Sequence, residues 1–70
     1  MRKQISAAKV KKLPPSTDVW VVDEKTVYSK RLFVIKYGKG VRLLQAFGVI
    51  PGPVITIKDT PGYHYEVEES

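Results

Sequence analysis

Residues 31–37 read Arg-Leu-Phe-Val-Ile-Lys-Tyr and are followed at once by Gly38-Lys39-Gly40. β-Branched and aromatic side chains dominate this run, as they do in strands. Side chains alternate across a strand, so Leu32 and Val34 share one face with Lys36, while Phe33, Ile35 and Tyr37 share the other. Both faces are largely apolar, which predicts a central strand. The two glycines then free the backbone for a tight turn.

Upstream, residues 18–22 (DVWVV) read as a strand around Trp20, and Asp23-Glu24-Lys25 as the first turn. Residues 26–28 (TVY) begin a second strand that Ser29-Lys30 interrupts. Downstream, residues 41–47 (VRLLQAF) favour a short helix. Leu43 and Phe47 are four apart, Val41 and Leu44 three apart, and Gly48 stands where a helix would end. Pro51-Gly52-Pro53 predicts a rigid turn and residues 54–58 (VITIK) another strand. Asp59-Thr60-Pro61-Gly62 carries Pro and Gly in type II order. Residues 63–67 (YHYEV) put Tyr63, Tyr65 and Val67 on one face and His64 and Glu66 on the other, the pattern of an edge or half-exposed strand.

Four or five short strands joined by Gly/Pro turns predict a mainly β fold: a small SH3-like barrel or a strongly bent antiparallel sheet, with one short helix. Trp20, Tyr28, Phe33, Phe47 and the Val/Ile set are the expected core. Pro14-Pro15 marks a junction. It divides the chain into a basic N-terminal arm with its Pro-rich junction, residues 1–17, and a barrel-like domain, residues 18–70.

The chain has 70 residues, with 12 Lys and Arg against 7 Asp and Glu. The net charge of +5 has a location. Arg2, Lys3, Lys9, Lys11 and Lys12 precede the first acid, Asp18, and after residue 12 cations and acids cancel. Lys30, Arg31, Lys36, Lys39 and Arg42 form a second acid-free run. An arm and a body that are both basic point to a shared polyanionic partner. The absence of Asn and scarcity of Gln lean towards a thermophile.

Size excludes a dinucleotide-binding domain and a barrel enzyme. The absence of cysteine excludes a disulfide scaffold, a thiolate metal site and a thiol nucleophile. No apolar run is long enough to span a bilayer, and none follows Arg2 and Lys3 as a signal peptide requires, which predicts a cytoplasmic protein. His64 with Glu66 and Glu68 offers too few ligands for a metal site and reads as strand surface. Ser6, Ser16, Ser29 and Ser70 have no neighbouring base, and Asp18, Asp23, Glu24 and Asp59 stand where turns want them. No catalytic residue, cofactor or metal is expected, and no enzyme activity.

Residues 43–58 (LLQAFGVIPGPVITIK) resemble the centre of FeoA-like domains, small SH3-type barrels that accompany ferrous-iron transporters. Leu43 and Leu44 match that family's helix, Gly48 its glycine, Val49 and Ile50 its apolar pair, Pro51-Gly52 its turn, and Val54, Ile55 and Ile57 its strand. The resemblance covers under a third of the chain. It implies an SH3-like fold and a protein-interaction module acting on the cytoplasmic domain of a transporter or on a regulator.

The charge pattern gives the leading expectation, a small RNA-binding protein built into a ribonucleoprotein particle such as the ribosome. Its organisation resembles that of small ribosomal proteins, whose arms order against ribosomal RNA. Arg2, Lys3, Lys9, Lys11 and Lys12 of the arm, and Lys30, Arg31, Lys36, Lys39 and Arg42 of the body, are the expected phosphate contacts. Tyr28 and Tyr37 are the expected stacking groups. Neighbouring proteins of the particle would be further partners. A small DNA-binding chromatin protein shares every charge argument and is the third reading.

Overall fold

The computed structural model describes residues 1–46 and 53–69. In chain order they form β1 (Arg2–Ile5), α1 (Ala7–Val10), β2 (Asp18–Asp23), β3 (Ser29–Tyr37), β4 (Val41–Ala46), β5 (Val54–Thr56) and β6 (Tyr63–Glu68). The strands make one six-stranded sheet in the order β1-β6-β2-β3-β4-β5, every neighbouring pair antiparallel. The expected mainly β class holds, in the form of an open sheet rather than a closed barrel.

The register follows the apolar alternation. Val19 lies opposite Leu32, Val34 opposite Leu44, and Leu32 also opposite Ala46. All five are buried in one cluster with Val10, Ile57 and Tyr65, and Val21 packs against it. This face of the sheet is the inner one. Trp20, Arg31 and Phe33 alternate with these residues and occupy the outer face. Trp20 and Phe33 are only half-buried there and Tyr28 is 70% exposed, so among the described residues the core is mainly aliphatic, with Tyr65 its one aromatic member. Phe47, the fourth aromatic expected in it, lies outside the described residues.

The sheet curls strongly. In its order β5 stands four places from β6, about 19 Å away if the sheet were flat. Yet Lys58, two residues past β5, bonds through its backbone to the Tyr65 hydroxyl of β6. Curling brings Ile57 into the core, 1% exposed.

Two expectations are corrected and a third is narrowed. Residues 41–46 are strand β4, not a helix. Two isolated helical turns are marginal. A strand here pairs residue by residue with β3 and buries Leu44 beside Val34, after Gly38 and Gly40 take positive φ of 63° and 74°. Residues 29 and 30 do not interrupt β3, which begins at Ser29. Strand β6 is half-exposed, one of the two alternatives expected, but it is not an edge, because residues 2–5 add as a further strand outside it.

That last pairing also removes the free arm. Ile5 packs against the core, and Ala7 and Val10 of α1 enter it, with Val10 at 0% exposure. The four-residue helix starts where the Ser6 hydroxyl accepts from the Lys9 amide at 3.3 Å, an N-cap. Residues 16 and 17 then bond to the backbone of Val34 before β2 begins. The first 17 residues thus belong to the domain. The turn expectation at 59–62 holds: the Tyr63 amide donates to the Thr60 carbonyl and Gly62 has φ 85°. Gly48 to Gly52, and with them the centre of the FeoA-like stretch, lie outside the described residues.

Candidate nucleic-acid interface

The turn between β3 and β4 defines one end of the sheet. Lys36 and Arg42 are directly opposed in the register, Tyr37 and Val41 follow, and Lys39 sits at the tip between the two glycines. Alternation places Lys36 and Arg42 on the side of Val34 and Leu44, beyond the end of the apolar cluster. Arg42 reaches from there to the chain that leaves α1, its Nε donating to the Leu13 carbonyl at 3.3 Å. Its guanidinium is partly buried, and one terminal nitrogen has neither solvent nor a partner among the described residues.

This contact joins the two cationic segments. Lys11 and Lys12, which follow α1, immediately precede Leu13 and are exposed, and Lys9 lies within α1. Residues 6–17 and 29–46 contain no acid. Lys11, Lys12, Lys36 and Lys39 form no ion pair with a described residue. Tyr37, 65% exposed, stands at the same end of β3 on the opposite face from Lys36.

The other expected contacts lie elsewhere. Lys30 pairs with Val21 at the far end of β3, where it and Tyr28 border an apolar hollow of about 270 Å³. Arg31 is on the outer face opposite Trp20, and Lys3 is exposed on the β1 edge. Arg2 is engaged: its guanidinium lies over the Trp20 ring at 5.1 Å, its Nε is 3.5 Å from Glu66, and it donates to the Ser29 hydroxyl at 3.3 Å. The expected contacts are therefore divided, as the placing of Lys30 and Arg31 at one end of the 31–37 strand and Lys39 and Arg42 at the other implies. Lys11, Lys12, Lys36, Tyr37, Lys39 and Arg42 stand at or next to one end; Arg2, Lys3, Tyr28, Lys30 and Arg31 do not join them, and Lys9 lies further back in α1.

Asp23 and Glu24 lie at the opposite end of the sheet, whereas Asp18 opens β2 opposite Phe33 and Glu68 closes β6, which runs in the same direction as β3. Glu24, Glu66 and Glu68 occupy the β2–β3 turn and β6, where they bind His64, Arg2 and the amino terminus. His64 is not plain strand surface. Its Nδ1 is 2.9 Å from Glu24 Oε2 and its Nε2 2.7 Å from Glu66 Oε2, with the side chain only 18% exposed. The hydrogen bond with Glu66 holds its pKa above the ordinary histidine value, against burial and with help from Glu24. Sequence spacing shows the His64–Glu66 face, but Glu24 is 40 residues away and only strand pairing brings it there. Among the described residues no group of His, Asp and Glu is arranged to hold a metal ion, and no helix is long and apolar enough to cross a membrane.

Comparison with family models, curated proteins and solved structures found no match for the chain.

Proposed function

We propose that this protein is a non-enzymatic RNA-binding component of a ribonucleoprotein particle such as the ribosome. Lys11, Lys12, Lys36, Lys39 and Arg42 neutralise phosphates, and Tyr37 offers a face for a base. The observation that carries the reading is the Arg42–Leu13 bond, which joins two acid-free cationic segments at one end of the sheet. Phosphate contacts release counterions and give affinity that falls with salt. RNA is favoured over duplex DNA because the cations stand on a curled end with an exposed tyrosine and, among the described residues, no helix suited to a groove.

The test is affinity for a structured RNA and for duplex DNA of equal length, measured across salt concentration. The full chain is compared with Lys36→Ala/Lys39→Ala and Lys11→Ala/Lys12→Ala double variants. Four or five phosphate contacts give a log–log salt slope of roughly −3 to −4. Each double variant should weaken binding and flatten that slope by about two contacts. Tighter binding to DNA favours a chromatin protein. Weak, salt-insensitive binding to both returns the FeoA-like reading, with the cytoplasmic domain of a transporter as the partner to seek.

A further inference from the structure

The most closely knit group of polar side chains lies at the opposite end of the sheet from the basic end. His64 of β6 stands between Glu24 of the β2–β3 turn, at 2.9 Å, and Glu66 of its own strand, at 2.7 Å. Both neighbours are carboxylates, which when ionised only accept hydrogen bonds. A neutral imidazole has one N–H and one lone pair. It can donate to one carboxylate, and then faces the other with its lone pair. The arrangement with both contacts short therefore belongs to the imidazolium, which donates from both nitrogens.

The two contacts are unequal. Glu66 is 22% exposed and is fixed a second time by Arg2, itself held over Trp20. Glu24 is 49% exposed and its carboxylate has no other partner among the described residues. When one proton leaves, the Glu24 contact is the one to break. The Glu24 amide still donates to the Gly62 carbonyl at 2.9 Å, but no other described side chain takes over the second imidazole contact. Val22 of β2 lies directly opposite His64, the Asp23 carboxylate accepts from the Lys25 amide, and the amino terminus pairs with Glu68.

The turn that Glu24 belongs to is under strain. Val27 has φ 61°, the left-handed region, which a β-branched residue adopts at a cost. It is kept there by its amide, which donates to the Asp23 carbonyl at 2.7 Å. Glu24 and His64 also both border a cleft of about 570 Å³ between the β1–α1 segment and the chain after β5. We propose that Glu24, His64 and Glu66 form a proton-operated latch. It clamps the β2–β3 turn against β6 while the imidazole is doubly protonated and, when one proton is lost, leaves the turn to its backbone hydrogen bonds, so that it loosens. Release leaves two carboxylates beside a neutral ring, so that wall of the cleft gains a negative charge as the turn loosens. The latch is independent of RNA binding.

The experiment is an NMR titration of the full chain from about pH 5 to about pH 9, with hydrogen exchange read at the Val27 amide. The His64 ring should titrate above about pH 6.5, the ordinary value. The amides of residues 25–28 should shift with the same midpoint, and protection at Val27 should fall several-fold through it. In Glu24→Gln the amide can accept from the protonated nitrogen and donate to the deprotonated one. The step at residues 25–28 should then vanish while Glu66 still holds the His64 midpoint high. A wild-type ring that titrates at or below the ordinary value overturns the latch, and so does a turn whose Val27 protection ignores the His64 midpoint.

Discussion

The Tyr65 hydroxyl donates to the Lys58 carbonyl at 3.0 Å and accepts from the Lys58 amide at 3.2 Å. One side chain thus satisfies both backbone groups of a residue that has left the sheet, and fastens the end of the curl to β6. Tyr65→Phe keeps the packing but leaves two part-buried groups without their partner. It should cost roughly 1–3 kcal/mol, read from the urea midpoint, and Lys58 should lose amide protection in hydrogen exchange.

The N-terminal segment supplies core. Val10→Ala removes two methyl groups from a fully buried site and should destabilise by about 2 kcal/mol. A chain starting at residue 13 should lose cooperative unfolding altogether, since it lacks Ile5, Ala7, Val10 and the strand beside β6. Unchanged urea curves for both would contradict the burial of this segment.

Val27 is 78% exposed, so its side chain gains little where it is. Glycine removes the cost of positive φ, about 1–3 kcal/mol, but adds unfolded-state entropy of about 0.5–1 kcal/mol. Val27→Gly should raise stability by up to about 1–2 kcal/mol, measured by thermal or urea unfolding.

Arg42 combines one good hydrogen bond with an unpartnered guanidinium nitrogen. Arg42→Met fills the same space without the orphan group. Stability should stay within about 1 kcal/mol, while RNA affinity falls and its salt slope flattens by about one contact. Large destabilisation would mean that the Leu13 bond outweighs the buried charge.

Stability should depend on pH through His64. Its pKa is raised in the folded state, chiefly by the Glu66 hydrogen bond, so protons bind the folded chain more tightly than the unfolded one. The contribution is fully present below about pH 6.5, the unfolded value, and is lost as pH rises through the folded value. The urea midpoint should therefore drop over that interval, and His64→Gln should remove the drop. An unaltered pH profile in the variant would count against it.

Much of the sheet could be read in advance. The apolar alternation at 31–37 marked β3 as central, and the glycines after it and the Pro61-Gly62 pair placed two turns, because strand period and positive φ are local properties. The 41–47 reading failed because a short apolar run fits a helix and a strand equally well. Only the presence of β3 alongside decided for the strand. The charge runs were likewise legible, and so was their separation along β3, but not the joining of the first run to the β3–β4 end. Lys30 and Lys36 are six apart in one strand and stand at opposite ends of it, whereas Lys12 and Arg42 meet through Leu13.

By itself, then, the sequence determined a small β protein with turns at its glycines and an uneven positive charge, since these rest on backbone preference and composition. The tertiary structure alone decided that the basic N-terminus is a strand and a core helix. Lysines at Lys3, Lys9, Lys11 and Lys12 hide the burial of Ile5, Ala7 and Val10 until β6 is there to receive them. It also decided the neighbours of His64. Glu24 comes to it only because β2 pairs with β6, and long-range pairing of this kind leaves no mark in local spacing.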